Sequence, residues 1–362
     1  MSRWWGYLLR RVVLAPLMPV LLLLASLVWL LVLAGSAVLC PVLAAVRRER
    51  PRVRALRVAS MALAYLLAEC ACLLGCFGLW LVSGCGWRLT AGRFIDAHRS
   101  LLRTFLGALL RLARPVFGFR LQVQEPDRHP EDLLRATSEV PLLVLARHAG
   151  PGASFALVHL LLTRYGRQLH VVLKDTLRFD PAIDLLLTRT GCTWIPAQRT
   201  DPNEAARRVG QAAAGLHGRQ TLLLFPEGAD WTPLRHLAAV AKLHQRGLVH
   251  QAQQALRMPH VLPPRPAGTV AALQGAPNTD VLIFTHTGHD DLLDATSAWQ
   301  ALPLTRPLQM AWWRAPADSL LSHAPDQISS WLHNTWVNID AWIAEQNDLT
   351  HLQRSLGNGS SR

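Results

Sequence analysis

The apolar positions of this chain fall into two regimes. Up to about residue 90 they run together almost without interruption. Beyond it they come in short bursts separated by polar turns. Residues 12–46 contain no charged side chain, and residues 58–87 contain only Glu69. Each run exceeds the ~20 apolar residues that cross the hydrocarbon core of a bilayer. A secretory signal has an apolar region of only ~7–15 residues, so both runs read as membrane anchors. Pro16, Pro19, Gly35 and Pro41 would also let the first run fold back as a re-entrant hairpin.

From residue 97 the pattern becomes that of an amphipathic helix. Leu101, Leu102, Phe105, Leu109, Leu112 and Val116 recur at helical spacing, with arginines elsewhere on the surface. Strand-like and helix-like segments then alternate. Strands are expected at 141–146, 169–173, 192–195, 221–225, 260–262, 281–285 and 308–313. Helices are expected at 154–165, 181–190, 202–216 (Asp201 as N-cap and Pro202 at the first helical position), 234–256 and 328–346. This alternation predicts an α/β fold, a mostly parallel sheet flanked by helices, behind an N-terminal hydrophobic helical anchor. The expected organisation is an anchor over 1–95, a main domain over 96–346 and a disordered tail over 347–362, whose end is rich in Gly and Ser.

Charge refines this picture. The chain carries a net +13 over 362 residues, which first suggests a nucleic-acid partner. The arrangement argues against one. Arg47, Arg48, Arg50, Arg52, Arg54 and Arg57 sit between the two apolar runs, where a basic cluster meets anionic headgroups at ~1 kcal/mol each. Orientation stays open at this level. The positive-inside rule draws that loop to the cytoplasm, whereas Arg3, Arg10, Arg11 and the arginines after the second run pull the other way. Five of the six cysteines lie in the apolar region and form no paired CxxC motif, so zinc is not expected, and no other cofactor is expected either.

The candidate chemistry lies in the main domain. Arg147-His148 closes an expected strand and opens the turn Ala149-Gly150-Pro151-Gly152. Phe225-Pro226-Glu227-Gly228 closes another. In parallel sheets, ligands bind beyond the carboxyl ends of the strands, so both motifs should face one crevice. Most histidines are structural, and there are 15 here. Only this one combines a strand end, a Gly/Pro turn and a following helix N-terminus, whose free N–H groups suit an anion.

These blocks resemble the PlsC-type glycerolipid acyltransferases, a family that includes lysophospholipid acyltransferases. Two further segments extend the likeness across roughly residues 141–346. They are Lys174-Asp175-Thr176-Leu177 with Pro181 and Gly191, and Val261-Leu262-Pro263-Pro264-Arg265-Pro266-Ala267-Gly268. The resemblance implies transfer of an acyl group from acyl-CoA or acyl-carrier protein to a lysophospholipid hydroxyl, such as that of lysophosphatidic acid. It implies His148 as catalytic base and Glu227, Gly228, Arg199, Arg235 and Arg265 as substrate-binding residues. The implied location is the cell inner membrane or plasma membrane, with the catalytic domain in the cytoplasm.

Two positions depart from the family pattern. Its first block is His-x4-Asp, with the aspartate orienting the imidazole, and here the fifth residue after His148 is Ala153. Many members carry Arg where Asp230 stands, which would move a phosphate contact to Arg235. Ser154 offers a nearby hydroxyl without charge, and Asp175 and Asp180 are carboxylates within the second block. Two expectations follow. The chain is an acyltransferase impaired at Ala153, or it is a catalytically inactive membrane protein that binds lipid or acyl donor.

Overall fold

The computed structural model describes residues 6, 9–47, 53–125, 135–196, 202–319 and 324–359. It divides into two compact units, of which the first comprises Met1–Arg120, Leu173–Ala197 and Ala295–Arg306. The second comprises Leu121–Val172, Gln198–Asp294 and Pro307–Arg362.

The first unit contains both apolar runs as helices. A π-helical turn, Leu9–Leu14, leads into α1 (Ala15–Arg47), and α2 follows as Arg54–Val82. The span Leu9–Pro41 has a mean hydropathy of 2.7 and no buried residue, which fits a membrane anchor. The second run differs, because Glu69, Cys70, Cys72 and Cys76 are buried on one of its faces. Glu69 accounts for this. Its Oε1 accepts the Ala182 N–H at 2.7 Å, at the start of α5 (Pro181–Thr190). Asp180 caps the same helix through the Ile183 N–H at 2.9 Å and also accepts from the Tyr65 hydroxyl. A carboxylate is favoured at a helix N-terminus, where backbone N–H groups lack partners. The one acidic side chain in the apolar run therefore meets a backbone donor at a helix start. The amphipathic helix expected from residue 97 is α3 (Gly92–Phe117), and it also belongs to this unit.

The sheet has seven strands in the order β1-β7-β6-β2-β5-β3-β4. They are β1 (Leu121–Gln124), β2 (Leu142–Ala146), β3 (Gln168–Lys174), β4 (Thr193–Ile195), β5 (Gln220–Leu224), β6 (Asp280–Thr287) and β7 (Leu308–Ala315). Pairing is parallel for β2 with β5 and β6, for β3 with β5, and for β1 with β7. Only the β6–β7 pair is antiparallel among these. Every residue of β2 and β6 is buried, as expected for central strands covered on both faces; β2 is a continuous apolar run, whereas β6 also buries Asp280, Thr285, His286 and Thr287. The expected fold, a mostly parallel sheet flanked by helices behind an apolar anchor helix, is the fold observed.

Some elements differ from expectation. Residues 260–262 form a buried turn, with Val261 fully buried, and are not a strand. The long helix expected over 234–256 is two, α7 (Pro233–Gln245) and α8 (Val249–Leu256). They are separated at Gly247, whose φ of +74° is readily adopted by glycine alone. Helix α4 (Pro151–Thr163) follows β2, and α6 (Pro202–Ala214) precedes β5, while Asp201 lies outside the described residues. Helices α9 (Pro266–Gly275) and α10 (Ala295–Ala301) and strand β1 carry no periodicity strong enough to announce them. The last helix, α11 (Pro325–Gly359), runs past residue 346. Its stripe Ile328, Leu332, Trp336, Ile339 and Ile343 is buried.

Candidate active site

The site is built at the carboxyl ends of the central strands β2 and β5, and its residues all belong to the second unit. His148 follows β2 by two residues. Gly150, at φ +72°, turns the chain into α4, and Pro151 takes the first helical position, where a missing N–H costs nothing. On β5 the chain leaves Leu224 through Phe225 into the Pro-Glu-Gly turn, closed by the Gly228 N–H on the Phe225 carbonyl at 3.0 Å. The Trp231 N–H then donates to the His148 carbonyl at 2.7 Å, joining the two motifs directly.

Glu227 is a buried organiser of these loops. One carboxylate oxygen accepts the His148 N–H at 3.3 Å and the Trp336 indole N–H at 3.2 Å. The other accepts the Leu262 N–H at 3.4 Å. Burial pushes its pKa up to about 7, against the opposing pull of Arg147 and these donors. Glu227 therefore holds three segments together: the His148 loop, the 260–262 turn and α11.

Arg147 serves a parallel role beneath the histidine. Its side chain is wholly buried and bonds the carbonyls of His286 and His260 at 2.6 and 2.7 Å and Asp290 at 2.6 Å. Its guanidinium lies 5.6 Å from the Trp231 ring centroid. Burial of Asp290 opposes ionisation, yet Arg147 and the Thr287 hydroxyl hold its carboxyl below the ordinary range. His286 is driven the opposite way from a charged state. Burial and the adjacent Arg147 lower its pKa to about 3, so it is a neutral structural imidazole.

The His148 ring is about one-quarter exposed and packs against Phe225, with centroids 4.6 Å apart. Its Nδ1 lies 3.2 Å from Asp230 Oδ1 and 3.4 Å from Ser154 Oγ. Ala153 is buried at the start of α4. Asp180 is engaged within the first unit, by its helix and by Tyr65. The carboxylate beside the imidazole is thus one that motif reading assigns to a phosphate-contacting position. A signal for it exists in the sequence, since Asp230 is the only acidic residue between 228 and 279.

The remaining expected residues distribute as follows. Arg265 lies over the turn, and a Cβ at Gly228 would stand 3.2 Å from its guanidinium. Gly228 itself has φ +70°, a conformation that favours glycine. The Arg265 N–H also donates to the Pro226 carbonyl at 2.9 Å. Arg235 is exposed at the start of α7, with its guanidinium on the Asp230 carbonyl at 3.1 Å and 4.0 Å from that carboxylate. Both cations therefore border the His148 site. Arg199 lies outside the described residues. Trp336, Asp290 and Asp340, which accepts the His260 N–H at 2.7 Å, are supports that motif reading does not reveal.

Among the described residues, no group of three or more His, Cys, Asp or Glu side chains is gathered to hold a metal ion. An open groove of about 830 Å³, lined by Ile283, Trp313, Trp331 and Asn334, contains none of the candidate residues.

No curated protein and no solved structure matches the chain. Residues 120–266 match the family model described as Acyltransferase, a stretch that includes His148, Glu227, Asp230 and Arg265. That match supports an acyltransferase-type domain over those residues and acyl transfer, in general, as its chemistry.

Proposed function

We propose that the protein transfers an acyl group from acyl-CoA or acyl-carrier protein to the free hydroxyl of a lysophospholipid, with lysophosphatidic acid as the simplest acceptor. The observation that carries this reading is the position of His148. A partly open imidazole stands at the end of a central parallel strand, beside a helix N-terminus, in a domain of acyltransferase type. A histidine so placed can take the acceptor proton as the oxygen attacks the thioester carbonyl. The ester C–O bond forms and the C–S bond breaks. The proton then passes from the imidazolium to the departing sulfur, which leaves as a thiol. Backbone N–H groups at the start of α4 are suited to the oxyanion formed on the way. Arg235 and Arg265 suit the acceptor phosphate, because guanidinium pairs well with phosphate oxygens.

The anchor helix fits an acceptor dissolved in the bilayer. A cytosolic acyl donor requires the catalytic domain on the cytoplasmic face of the cell inner membrane or plasma membrane. Protease digestion of sealed vesicles of known orientation tests this, and cleavage of the domain from the outer face would refute it.

The test of the activity is an acyltransfer assay on the full chain with a panel of lyso-acceptors and both donor types, beside His148→Ala. Turnover by the native chain and none by the variant supports the reading. A native chain that binds donor or acceptor without turnover would replace it with the alternative, a catalytically inactive lipid- or donor-binding protein.

A further inference from the structure

The geometry points to Asp230 as the positioning residue for His148, taking the place of a carboxylate that Ala153 does not supply. This inference rests on the reading of His148 as the base.

Three observations converge on it. First, the carboxylate is in place. Asp230 Oδ1 lies 3.2 Å from His148 Nδ1, within reach of a charge-assisted hydrogen bond. Second, that oxygen is shielded from solvent and makes no aligned hydrogen bond. The Asp230 side chain is otherwise 42% exposed, and a small rotation of the neighbouring imidazole would give this oxygen a donor. Catalytic hydrogen bonds are commonly misaligned before substrate binds and tighten in the complex. Third, the two residues are held in register by backbone. The Trp231 N–H bonds the His148 carbonyl at 2.7 Å, and Thr232 caps α7 through the Arg235 N–H at 3.2 Å. Asp230 therefore sits on a segment pinned on its carboxyl side both to the histidine it faces and to a helix start.

The chemical consequence concerns which nitrogen acts. With a carboxylate facing Nδ1, the favoured tautomer is Nδ1–H, and Nε2 becomes the nitrogen that takes the acceptor proton. As Nε2 is protonated, the Asp230 charge stabilises the imidazolium. Ser154 Oγ, 3.4 Å from the same Nδ1, can hydrogen-bond it but cannot supply that charge. Other charged or titratable groups around the ring are Arg147 and His286 beneath it, Glu227 on its backbone N–H, Asp290 on Arg147, and Arg235 beside Asp230. Arg147 and Asp290 are paired with each other. His286 stays neutral above pH 3, and Glu227 contacts the backbone rather than the ring. Among these described groups, Asp230 is the one with a carboxylate oxygen on a ring nitrogen of His148.

The experiment uses the full chain in detergent or nanodiscs, with four variants: Asp230→Asn, Asp230→Glu, Ser154→Ala and the double variant Asp230→Asn/Ala153→Asp. If Asp230 positions His148, Asp230→Asn lowers kcat by ~10²–10⁴-fold with KM little changed, by analogy with the loss of the carboxylate from a hydrolase triad. The acidic limb of the pH–rate profile moves to lower pH, because the imidazolium has lost its partner. Asp230→Glu recovers part of the loss, and Ser154→Ala costs less than tenfold. The double variant recovers activity over Asp230→Asn alone, because position 153 offers a carboxylate from α4. An Asp230→Asn enzyme with native kcat and an unmoved acidic limb would overturn the assignment, provided His148→Ala is inactive. If His148→Ala is itself active, the failure belongs to the reading of His148 as base. Should the native chain turn over no substrate, the His148 pKa from NMR of histidine-labelled protein decides instead. A fall of about one unit or more in Asp230→Asn supports the pairing, and no change overturns it.

Discussion

Trp231 donates its backbone N–H to the carbonyl of His148 at 2.7 Å, so a main-chain bond joins the loop after β5 to the loop after β2. This bond fixes one point of contact between residues about 80 positions apart. The side chains around it, Glu227 and Arg147, then decide how firmly the stitched loops are held.

Removing Glu227 should loosen the site before it affects anything else. Glu227→Ala leaves the N–H groups of His148, Leu262 and Trp336 without their acceptor. At ~1–3 kcal/mol for each unpaired buried donor, a loss of about 3–9 kcal/mol is expected for the three. Glu227→Gln keeps an acceptor oxygen and should cost less than half as much. Chemical denaturation of both variants beside the native chain checks the order. Equal midpoints for all three would show that the contacts carry no net stability.

Stability should also respond to pH through two groups of opposite sign. The folded-state pKa of Glu227, about 7, lies above its ordinary 4.5. Its contribution is therefore fully present below pH 4.5 and is lost as pH rises through 7, by about 3 kcal/mol at ~1.4 kcal/mol per unit. His286 is lowered from 6.5 to about 3, so the unfolded chain binds more protons between those values and stability rises with pH across that window. The two slopes oppose each other between pH 4.5 and 6.5. Glu227→Gln should unmask a rise in stability from pH 3 to 6.5, and His286→Gln a fall from pH 4.5 to 7. Unfolding free energies measured across pH 3–8 would show parallel curves for all three proteins if neither shift is real.

Arg147→Met should be among the most damaging single changes in the domain. It strands the Asp290 carboxylate and the carbonyls of His260 and His286 in a buried setting. Breaking a buried ion pair from one side costs ~3–5 kcal/mol. Arg147→Lys retains the charge but cannot reach all three acceptors, so an intermediate loss is expected. Thermal melts in a common detergent rank the two.

Arg265→Ala and Arg235→Ala test acceptor binding. Each removes a cation that borders the His148 site while leaving the imidazole contacts in place. A rise in acceptor KM of about tenfold with kcat changed less than threefold is the expected split, since loss of uniform binding raises KM alone. A fall in kcat at unchanged KM would instead assign the residue to the reacting groups.

Ala153→Asp in the native background separates motif from geometry. Motif reading alone expects a large gain in activity. With Asp230 already beside Nδ1, kcat should change less than about threefold. A gain of 10²-fold or more would mean that Asp230 does not support the imidazole.

Much of this protein is determined by sequence alone. The two long apolar runs specify long helices, and the first, which has no charge over 12–46, fits a membrane anchor. Apolar bursts between Gly/Pro turns specify a buried, mostly parallel sheet, and a histidine and an acidic turn fall at two of its strand ends. These are local signals, written in periodicity and turn chemistry. The role of Glu69 is not local. It reads as an isolated charge in an apolar helix, and only packing against the start of α5 supplies its N–H partner. The break at Gly247 was likewise weak in the pattern, since one glycine in a long helical run does not by itself end it. The partner of His148 is the clearest case. Along the chain, position 153 is five residues from the histidine and Asp230 is far away, so proximity in sequence selects the wrong residue. Parallel pairing of β2 with β5 puts the two loops side by side, and the Trp231–His148 bond sets their register. Sheet topology and that register place a carboxylate on the imidazole, because contact in a parallel sheet depends on which strands are neighbours and not on how near they lie in the chain.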